Sequence, residues 1–414
     1  METITEPGSG LTDDELAALE SAIRDAEPSF LGDLERLVNT DCGSYTPEGV
    51  DEIGAFVTAF MERIGARVER REDPEGRLGA TIIGTWDGDG GTGGGPRLLL
   101  IGHMDTVFDP GTAGERPFAV DADGIARGPG VTDMKGGLLA GLYALQAVVA
   151  RAERLPFERI VYVANPDEEI GSPSSSPHIR EIAAESDVCL VLECARANGN
   201  IVSSRKGILD ARITIHGRAA HAGVEPEKGR SAVLAAADMV RRLHALNGRW
   251  DGVTVNVGVI QGGTRPNVVA ERCTLEVDVR AIRRADLEAV EAEIRSLLTT
   301  LAVPDTTAEL TEMARWWPME KLERSGRLVD HAQALGRRLG LAFDDQATGG
   351  ASDANSTAGM GVPTIDGLGP VGGLDHSPAE YLEVASIVPR TVLLAALILG
   401  IGRDPEVRAW RRAG

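Results

Sequence analysis

Three short, unbroken apolar runs constrain this chain more than anything else in it. Arg97-Leu-Leu-Leu-Ile-Gly102, Arg159–Ala164 and Val188–Leu192 show no polar alternation. Strands of that kind are buried on both faces, which requires helices above and below the sheet. Helical patterns lie between and around them. Thr12 to about Val38 is amphipathic, with breaks expected at Pro28 and Gly32. Pro47 to about Gly65 follows, with Thr46 as its expected N-cap. Lys135–Arg151, Ser325–Arg338 and Ile387–Ile401 read as further helices, and Ala66–Glu72, Ala80–Gly84 and Gly361–Asp366 as further strands. The expected fold class is therefore α/β, a mixed sheet with helices on both faces.

Near Arg205–Lys206 the pattern changes. Leu209–Ile215, Val253–Ile260, Thr274–Arg280 and Thr307–Glu312 alternate as strands. Arg230–Leu246 and Ala285–Leu301 read as helices between them. The order β-α-β-β-α-β is that of a ferredoxin-like split unit. The expected organisation is a first catalytic part at 1–205, an inserted ferredoxin-like domain at 206–315, and a second catalytic part at 316–414. Trp316–Trp317, at the return, reads as a packed hinge rather than a substrate platform.

Composition narrows the partners. The formal net charge is −21 and aromatic residues are 4%. Nucleic acid is therefore not an expected partner, because phosphate contacts need a basic face and base stacking needs aromatic side chains. Cationic metals suit this balance better. The apolar stretches Leu138–Ala150 and Val392–Ile401 are too short to span a bilayer and read as buried helices. Cys42, Cys189, Cys194 and Cys273 form no framework and read as reduced, buried small side chains. With an acidic N-terminus lacking an apolar stretch, the expected location is cytoplasmic, away from membranes.

Two formal motifs are set aside. Gly88, Gly90 and Gly93 match G-x-G-x-x-G, but they precede a strand instead of opening a helix, so they read as a hairpin loop. Ser203-Ser-Arg-Lys206 matches S-x-x-K, but its S-D-N and K-T-G companions are missing.

The informative residues are dispersed, and each ends a strand or opens a loop. His103-Met-Asp105 follows a buried strand, so both side chains face one way and Asp105 can accept the imidazole's second N–H. Asp133 ends a Gly/Pro-shaped loop before a helix, where the plain alternative is an N-cap. Asp167-Glu168-Glu169 places three acids at the end of a core strand, where they repel unless something positive is present. Glu193 ends another core strand. His376 lies in a glycine-rich loop. Together these are two histidines and several carboxylates at the carboxyl edge of one sheet, where α/β proteins bind ligands. Two Zn²⁺ ions would come close to balancing Asp133, Glu169 and Glu193. A shared carboxylate, with one further carboxylate and one His on each ion, would hold such a pair about 3.5–4 Å apart. Glu168 is left over and is the natural general base for an attacking water. His178, His216, His244 and His331 lack such context and read as surface or structural residues.

The segments GHMDTV, GPGVTDMKGG, PDEEIGS, LEC, GRAAHAGVEPEKG, GGTRPNVV, VDVR, TGGASDAN and LDHSPAEY resemble, in order, the M20 family of zinc metallopeptidases. The resemblance is closest to its glutamate carboxypeptidase (carboxypeptidase G2-like) branch. It covers nearly the whole chain after about residue 40. It implies a zinc-peptidase-type α/β catalytic domain with an inserted ferredoxin-like dimerisation or lid domain. It implies His103 and Glu193 on one metal, Glu169 and His376 on the other, and Asp133 bridging. Asp105 would orient His103, Glu168 would be the base, and the Asp133–Met134 peptide would be cis. It further implies a homodimer in which His221 reaches the partner's active site and polarises the scissile carbonyl. Asn267 and Arg280, with the turn carrying Asn267 placed just before the Arg280 strand, would hold a substrate carboxylate. Gly349 and Gly350 would line the pocket.

The chain departs from that pattern in places. Cys194 follows Glu193 where proline is usual. The lysine that reads a glutamate side chain has no clear counterpart; Asn200 is near its place, and Arg196 and Arg205 are substitutes. The expected activity is a dinuclear zinc hydrolase, with Co²⁺ or Mn²⁺ as substitute ions. It would cleave an amide or peptide bond next to a free carboxylate, releasing a C-terminal, glutamate-like amino acid from an N-acyl or short peptidyl substrate. An N-acyl-amino-acid deacylase or desuccinylase on the same scaffold is the alternative. A non-catalytic metal-dependent binding protein is a distant one.

Overall fold

The first helix shows how packing overrides a local signal. The computed structural model describes residues 6–8, 10–88, 94–151 and 154–410. Met1–Thr5 and Ser9 of the acidic N-terminus, and Gly90 and Gly93 of the expected hairpin loop, lie outside them. Asp13–Val38 is one continuous helix through Pro28 and Gly32, where breaks were expected. Its buried face, Leu16, Leu19, Ile23, Phe30, Leu34 and Leu37, keeps one register on both sides of Pro28. That continuous apolar stripe holds the helix across the residue that would otherwise interrupt it. Thr12 and Glu15 close its start as a reciprocal capping box. Thr46 stands at the cap position of Pro47–Arg63 but makes no side-chain cap hydrogen bond.

The chain divides into two compact units. One comprises Met1–Ser203, Lys321–Ala347 and Ser352–Gly414; the other comprises Ser204–Glu320 and Thr348–Ala351. Gly349 and Gly350 thus fall with the second unit.

The first unit is built on a six-stranded sheet among the described residues. Its order is Arg67–Arg71, Thr81–Asp87, Arg159–Asn165, Arg97–His103, Val188–Val191 and Thr364–Ile365. Arg97–His103 runs parallel to both neighbours, as do Val188–Val191 and Thr364–Ile365 to each other. Thr81–Asp87 is antiparallel to Arg159–Asn165. The three central strands are the apolar runs, and their residues are almost all buried. Parallel strands put their carboxyl ends on one edge, so His103, Asn165 and the residues after Val191 emerge together.

Helices Gly136–Arg151 and Val384–Arg403 pack in the core of this unit. Val384–Arg403 is long and apolar enough by composition to cross a membrane, but 78% of its most apolar window is buried inside the molecule. It is a core helix, as the sequence indicated. A Cβ on Gly137 would run into the Leu192 carbonyl, so glycine lets this helix approach the strand end that carries Glu193. A smaller sheet of Gly372–Gly373, Tyr381–Glu383, Ile125–Arg127 and Ala119–Val120 was not expected. Its strands are too short to leave a periodic signal.

The second unit is a four-stranded antiparallel sheet in the order Thr254–Gly262, Arg272–Ala281, Gly207–His216 and Thr307–Trp316. In chain order this is 2-3-1-4, the ferredoxin-like arrangement. Helices Ala232–His244 and Arg284–Leu298 cover one face over Leu209, Ile213, Ile215, Leu275, Val277 and Val279. Trp317 packs at the edge of this core, with the Arg284 guanidinium 4.0 Å from its ring centroid. All four cysteines are free thiols and buried.

Candidate metal centre

The carboxyl edge of the first unit's sheet gathers most of the expected chemistry. His103 is the last residue of its strand and is 1% exposed. Its Nε2 lies 3.1 Å from Asp133 Oδ1 and 3.8 Å from Glu193 Oε1. The other Asp133 oxygen, Oδ2, lies 3.1 Å from His376 Nε2. His376 Nε2 is also 3.1 Å from Glu169 Oε2. Ligand atoms of His103, Asp133 and Glu169 fall within 4.8 Å of one another, and so do those of His103, Glu168 and Glu193. The Asp133–Met134 peptide is cis.

Asp105 lies against His103 through both its backbone and its carboxylate. His103 Nδ1 meets the Asp105 backbone carbonyl at 3.0 Å, closer than the carboxylate Oδ1 at 3.3 Å. The carboxylate also accepts from Ser44 Oγ at 2.6 Å and from the backbone N–H groups of Glu168 and Glu169 at 3.1 and 3.2 Å. It ties the loop bearing both glutamates to the strand bearing His103. Of the three consecutive acids, Asp167 does not join the cluster. Fully buried, it accepts from the Ser174 and Ser175 backbone N–H groups and from Ser175 Oγ.

The electrostatics follow from crowding. Hydrogen bonds to Asp133 and Glu169 push His376 up to about 11. Burial opposes a charge on His103, but Asp105, Asp133 and Glu193 hold its proton on, well above the usual imidazole range. Burial pushes Asp133 up, yet the two imidazoles outweigh it and hold its carboxyl below the usual range. Burial, with the charges of Glu193 and Asp353 opposing the pull of His103, drives Glu168 well above the usual carboxylate range. Burial raises Glu169 to about 6 against the pull of His376. Without a cation, the crowding would draw protons onto the two imidazoles and onto Glu168. Divalent cations ligated at those nitrogens and oxygens would balance the carboxylates in place of those protons, so this donor set fits a metal. Two His with carboxylates suit Zn²⁺ and also Co²⁺ or Mn²⁺.

Three supporting residues escaped the sequence reading. Ser44 holds Asp105. Asp353, raised to about 6 by burial, accepts from Ser172 Oγ at 2.7 Å and from Asn165, bracing the glutamate loop. Glu380 accepts the N–H groups of Gly130, Thr132 and Asp133. Burial pushes its carboxyl up to about 7 against those three donors. Asp353 and Glu380 lay within segments already singled out, but their partners are remote in sequence and no spacing reveals them.

The remaining expected site residues belong to the second unit. Arg280 donates from Nη1 to the Gly349 carbonyl at 3.0 Å and from Nε to Asp278 Oδ2 at 3.1 Å. Arg205 donates to the Gly350 carbonyl at 3.1 Å. His221 is exposed and pairs with Val268, and Ala222 N donates to Asn267 O at 3.0 Å. Asn267 does not sit beside Arg280. The ladder that starts at Arg272 and His216 continues away from Arg280 through Glu271, Val269 and Asn267. From Arg272 to Arg280 alone is about 26 Å of extended strand. Asn200, in the first unit, spends its side chain on Gln346 and on the Asp344 N–H.

Known proteins resemble this chain over most of its length. The profile of peptidase family M20/M25/M40 matches residues 99–400. Carboxypeptidase G2 of Pseudomonas sp. (strain RS-16) is 31% identical over 399 residues, covering 95% of this chain and 94% of that protein. Succinyl-diaminopimelate desuccinylase of Xanthomonas campestris pv. campestris is 29% identical over 342 residues, covering 78% and 87%. The crystal structure of aminopeptidase PepT from Bacillus cereus superposes with a TM-score of 0.75 at 22% identity, covering 90% of this chain and 98% of that one. A match running through the strands, loops and closing helix that assemble the cluster leaves one assignment: the chain belongs to peptidase family M20/M25/M40, as an M20-type metallopeptidase or amidohydrolase.

Proposed function

We propose that the chain is a dinuclear zinc hydrolase that cleaves an amide or peptide bond next to a free carboxylate, releasing a glutamate-like amino acid. The observation that carries this reading is Asp133, whose two oxygens each lie 3.1 Å from a different imidazole. One carboxylate serving two histidine-bearing sites is the geometry of a shared ligand. In this reading His103 and Glu193 hold one ion and Glu169 and His376 the other. Bound there, the metals supply Lewis acidity, polarising a carbonyl and acidifying water. Glu168 takes a proton from the water that attacks the carbonyl carbon. It returns that proton to the departing nitrogen as the C–N bond breaks, leaving an acid and an amine.

Arg280 offers a planar fork for the substrate's free carboxylate, with Gly349 and Gly350 beside it. The separation of Asn267 from Arg280 supports a two-chain arrangement, in which Asn267 and His221 serve the centre of a second copy. The edge strand Thr254–Gly262, with Val259 and Ile260 exposed, is a surface on which a second copy can pair.

A deacylase or desuccinylase acting on N-acyl amino acids is the second reading. It is favoured by Asn200, which stands near the place of a glutamate-reading lysine and engages Gln346 and the Asp344 N–H instead of offering a positive charge. Metal content by mass spectrometry, with hydrolysis of N-acyl and dipeptidyl glutamates, aspartates and neutral amino acids, tests both. About two zinc ions per chain and cleavage of acidic substrates are expected. A metal-free active enzyme would end both readings, and preference for N-succinyl or N-acetyl diamino acids would select the second.

A further inference from the structure

Glu380 joins the two loops that carry Asp133 and His376. It is 1% exposed. Its Oε1 accepts from Thr132 N at 2.9 Å and Asp133 N at 3.1 Å, and its Oε2 accepts from Gly130 N at 3.0 Å. Its own N–H donates to the Ser377 carbonyl at 3.2 Å, closing the turn that follows His376. Ser377 Oγ in turn donates to the Leu374 carbonyl at 2.6 Å. Leu374 and His376 both have left-handed backbones, with φ of 58° and 59°. Non-glycine residues hold that conformation only where the surroundings impose it.

The chain on both sides of Glu380 is committed to the same neighbour. Tyr381–Glu383 pairs with Ile125–Arg127, which leads into the Asp133 loop. A Cβ on Gly372 would collide with Thr132 Oγ1 and the Tyr381 carbonyl, so glycine lets the strand before His376 lie directly against the Thr132 side chain. Three convergent N–H groups need an acceptor-only partner. A glutamine would offer one oxygen and turn an NH₂ toward an N–H donor.

We propose that Glu380 is a positioning residue of the metal centre, holding the Asp133 peptide in fixed relation to His376 so that the Asp133 oxygens stay divided between two sites. This rests on the metal-binding reading above. Residues that orient a ligand without touching the metal commonly govern its affinity by about 10–100-fold.

The test compares wild type, Glu380→Gln and Arg127→Met, each stripped of metal. Zinc affinity is measured by competition with a chromophoric chelator, and Tm of the metal-free chains by calorimetry. Arg127 reaches the Ala379 carbonyl from the exposed side of the same turn and serves as control. Glu380→Gln is expected to weaken zinc binding at least about 10-fold while the metal-free chain stays folded, its Tm lowered by no more than about 5 °C by the mismatched amide. Arg127→Met is expected to change neither. Unchanged zinc affinity in Glu380→Gln overturns the assignment, as does equal weakening in both variants. A metal-free Glu380→Gln chain that unfolds, or melts more than about 5 °C lower, makes Glu380 a brace of the fold and overturns it too. A wild-type chain that binds no zinc overturns this proposal together with the metal reading; a failure confined to the variant leaves that reading standing.

Discussion

Asp105 Oδ1 accepts the backbone N–H of Glu168 at 3.1 Å, so the strand that ends in His103 holds the proposed base by its main chain and leaves its side chain uncommitted. Glu168→Gln keeps that N–H and the size of the side chain but cannot carry a proton. Its kcat is expected to fall by about 10²–10⁴ with metal content unchanged. Loss of zinc from the variant would make Glu168 a ligand and reverse its assignment with Glu169.

Chelation should be felt in stability as well as activity. Without cations Asp133, Glu168, Glu169 and Glu193 crowd one buried region, and metal that binds only the folded chain stabilises it by mass action. Removing metal is expected to abolish hydrolysis and lower Tm by about 5 °C or more. About two equivalents of Zn²⁺ should restore both. A calorimetric trace unaffected by chelator and by added zinc contradicts this.

The Arg280 guanidinium, anchored by Asp278 and Gly349, bears on what is recognised. A free-acid substrate should be preferred over its amide, because a charged site loses much of its binding when the partner is neutral. Arg280→Lys is expected to lower kcat/KM for the acid by about 10–100-fold, since lysine cannot reproduce two parallel hydrogen bonds. Metal content should not change. An acid-to-amide ratio near one in wild type would leave a general amidase, and a large ratio untouched by the substitution would clear Arg280.

Acid should weaken the fold through a pair remote from the metal centre. His331 accepts the Gly8 N–H on Nδ1 and meets Asp404 through Nε2 at 2.6 Å. Burial depresses His331 below its ordinary 6.5 despite Asp404. Burial would raise Asp404, but Arg327 and His331 hold it below its ordinary 3.8. In both cases the unfolded chain binds protons first as pH falls. Their stabilisation is therefore complete above about pH 6.5, and is lost in two stages as pH drops through each depressed value. Asp404→Asn should lower Tm at pH 7 by about 3–8 °C and flatten the acid limb of the Tm curve. An unchanged limb in that variant would place the acid sensitivity elsewhere.

The sequence alone determined the layers and marked the histidines and acids that end the core strands. Leu98–Ile101, Ile160–Ala164 and Val188–Val191 are apolar on both faces, which forces a covered sheet. A histidine or acid where such a run stops needs no tertiary information to stand out. The β-α-β-β-α-β order of 207–316 was legible for the same reason, because periods of two and 3.6 residues alternate there. Tertiary structure decided what depends on contacts remote in sequence. Helix Asp13–Val38 crosses Pro28 because its buried face finds one continuous core. Asp167 turns away from its two acidic neighbours because serine donors close its loop. Asn267 and Arg280, close in sequence, stand at opposite ends of a ladder because an extended strand separates them by its own length. Glu380 acquires its three donors from a loop about 250 residues earlier, and no spacing in a linear chain encodes that meeting.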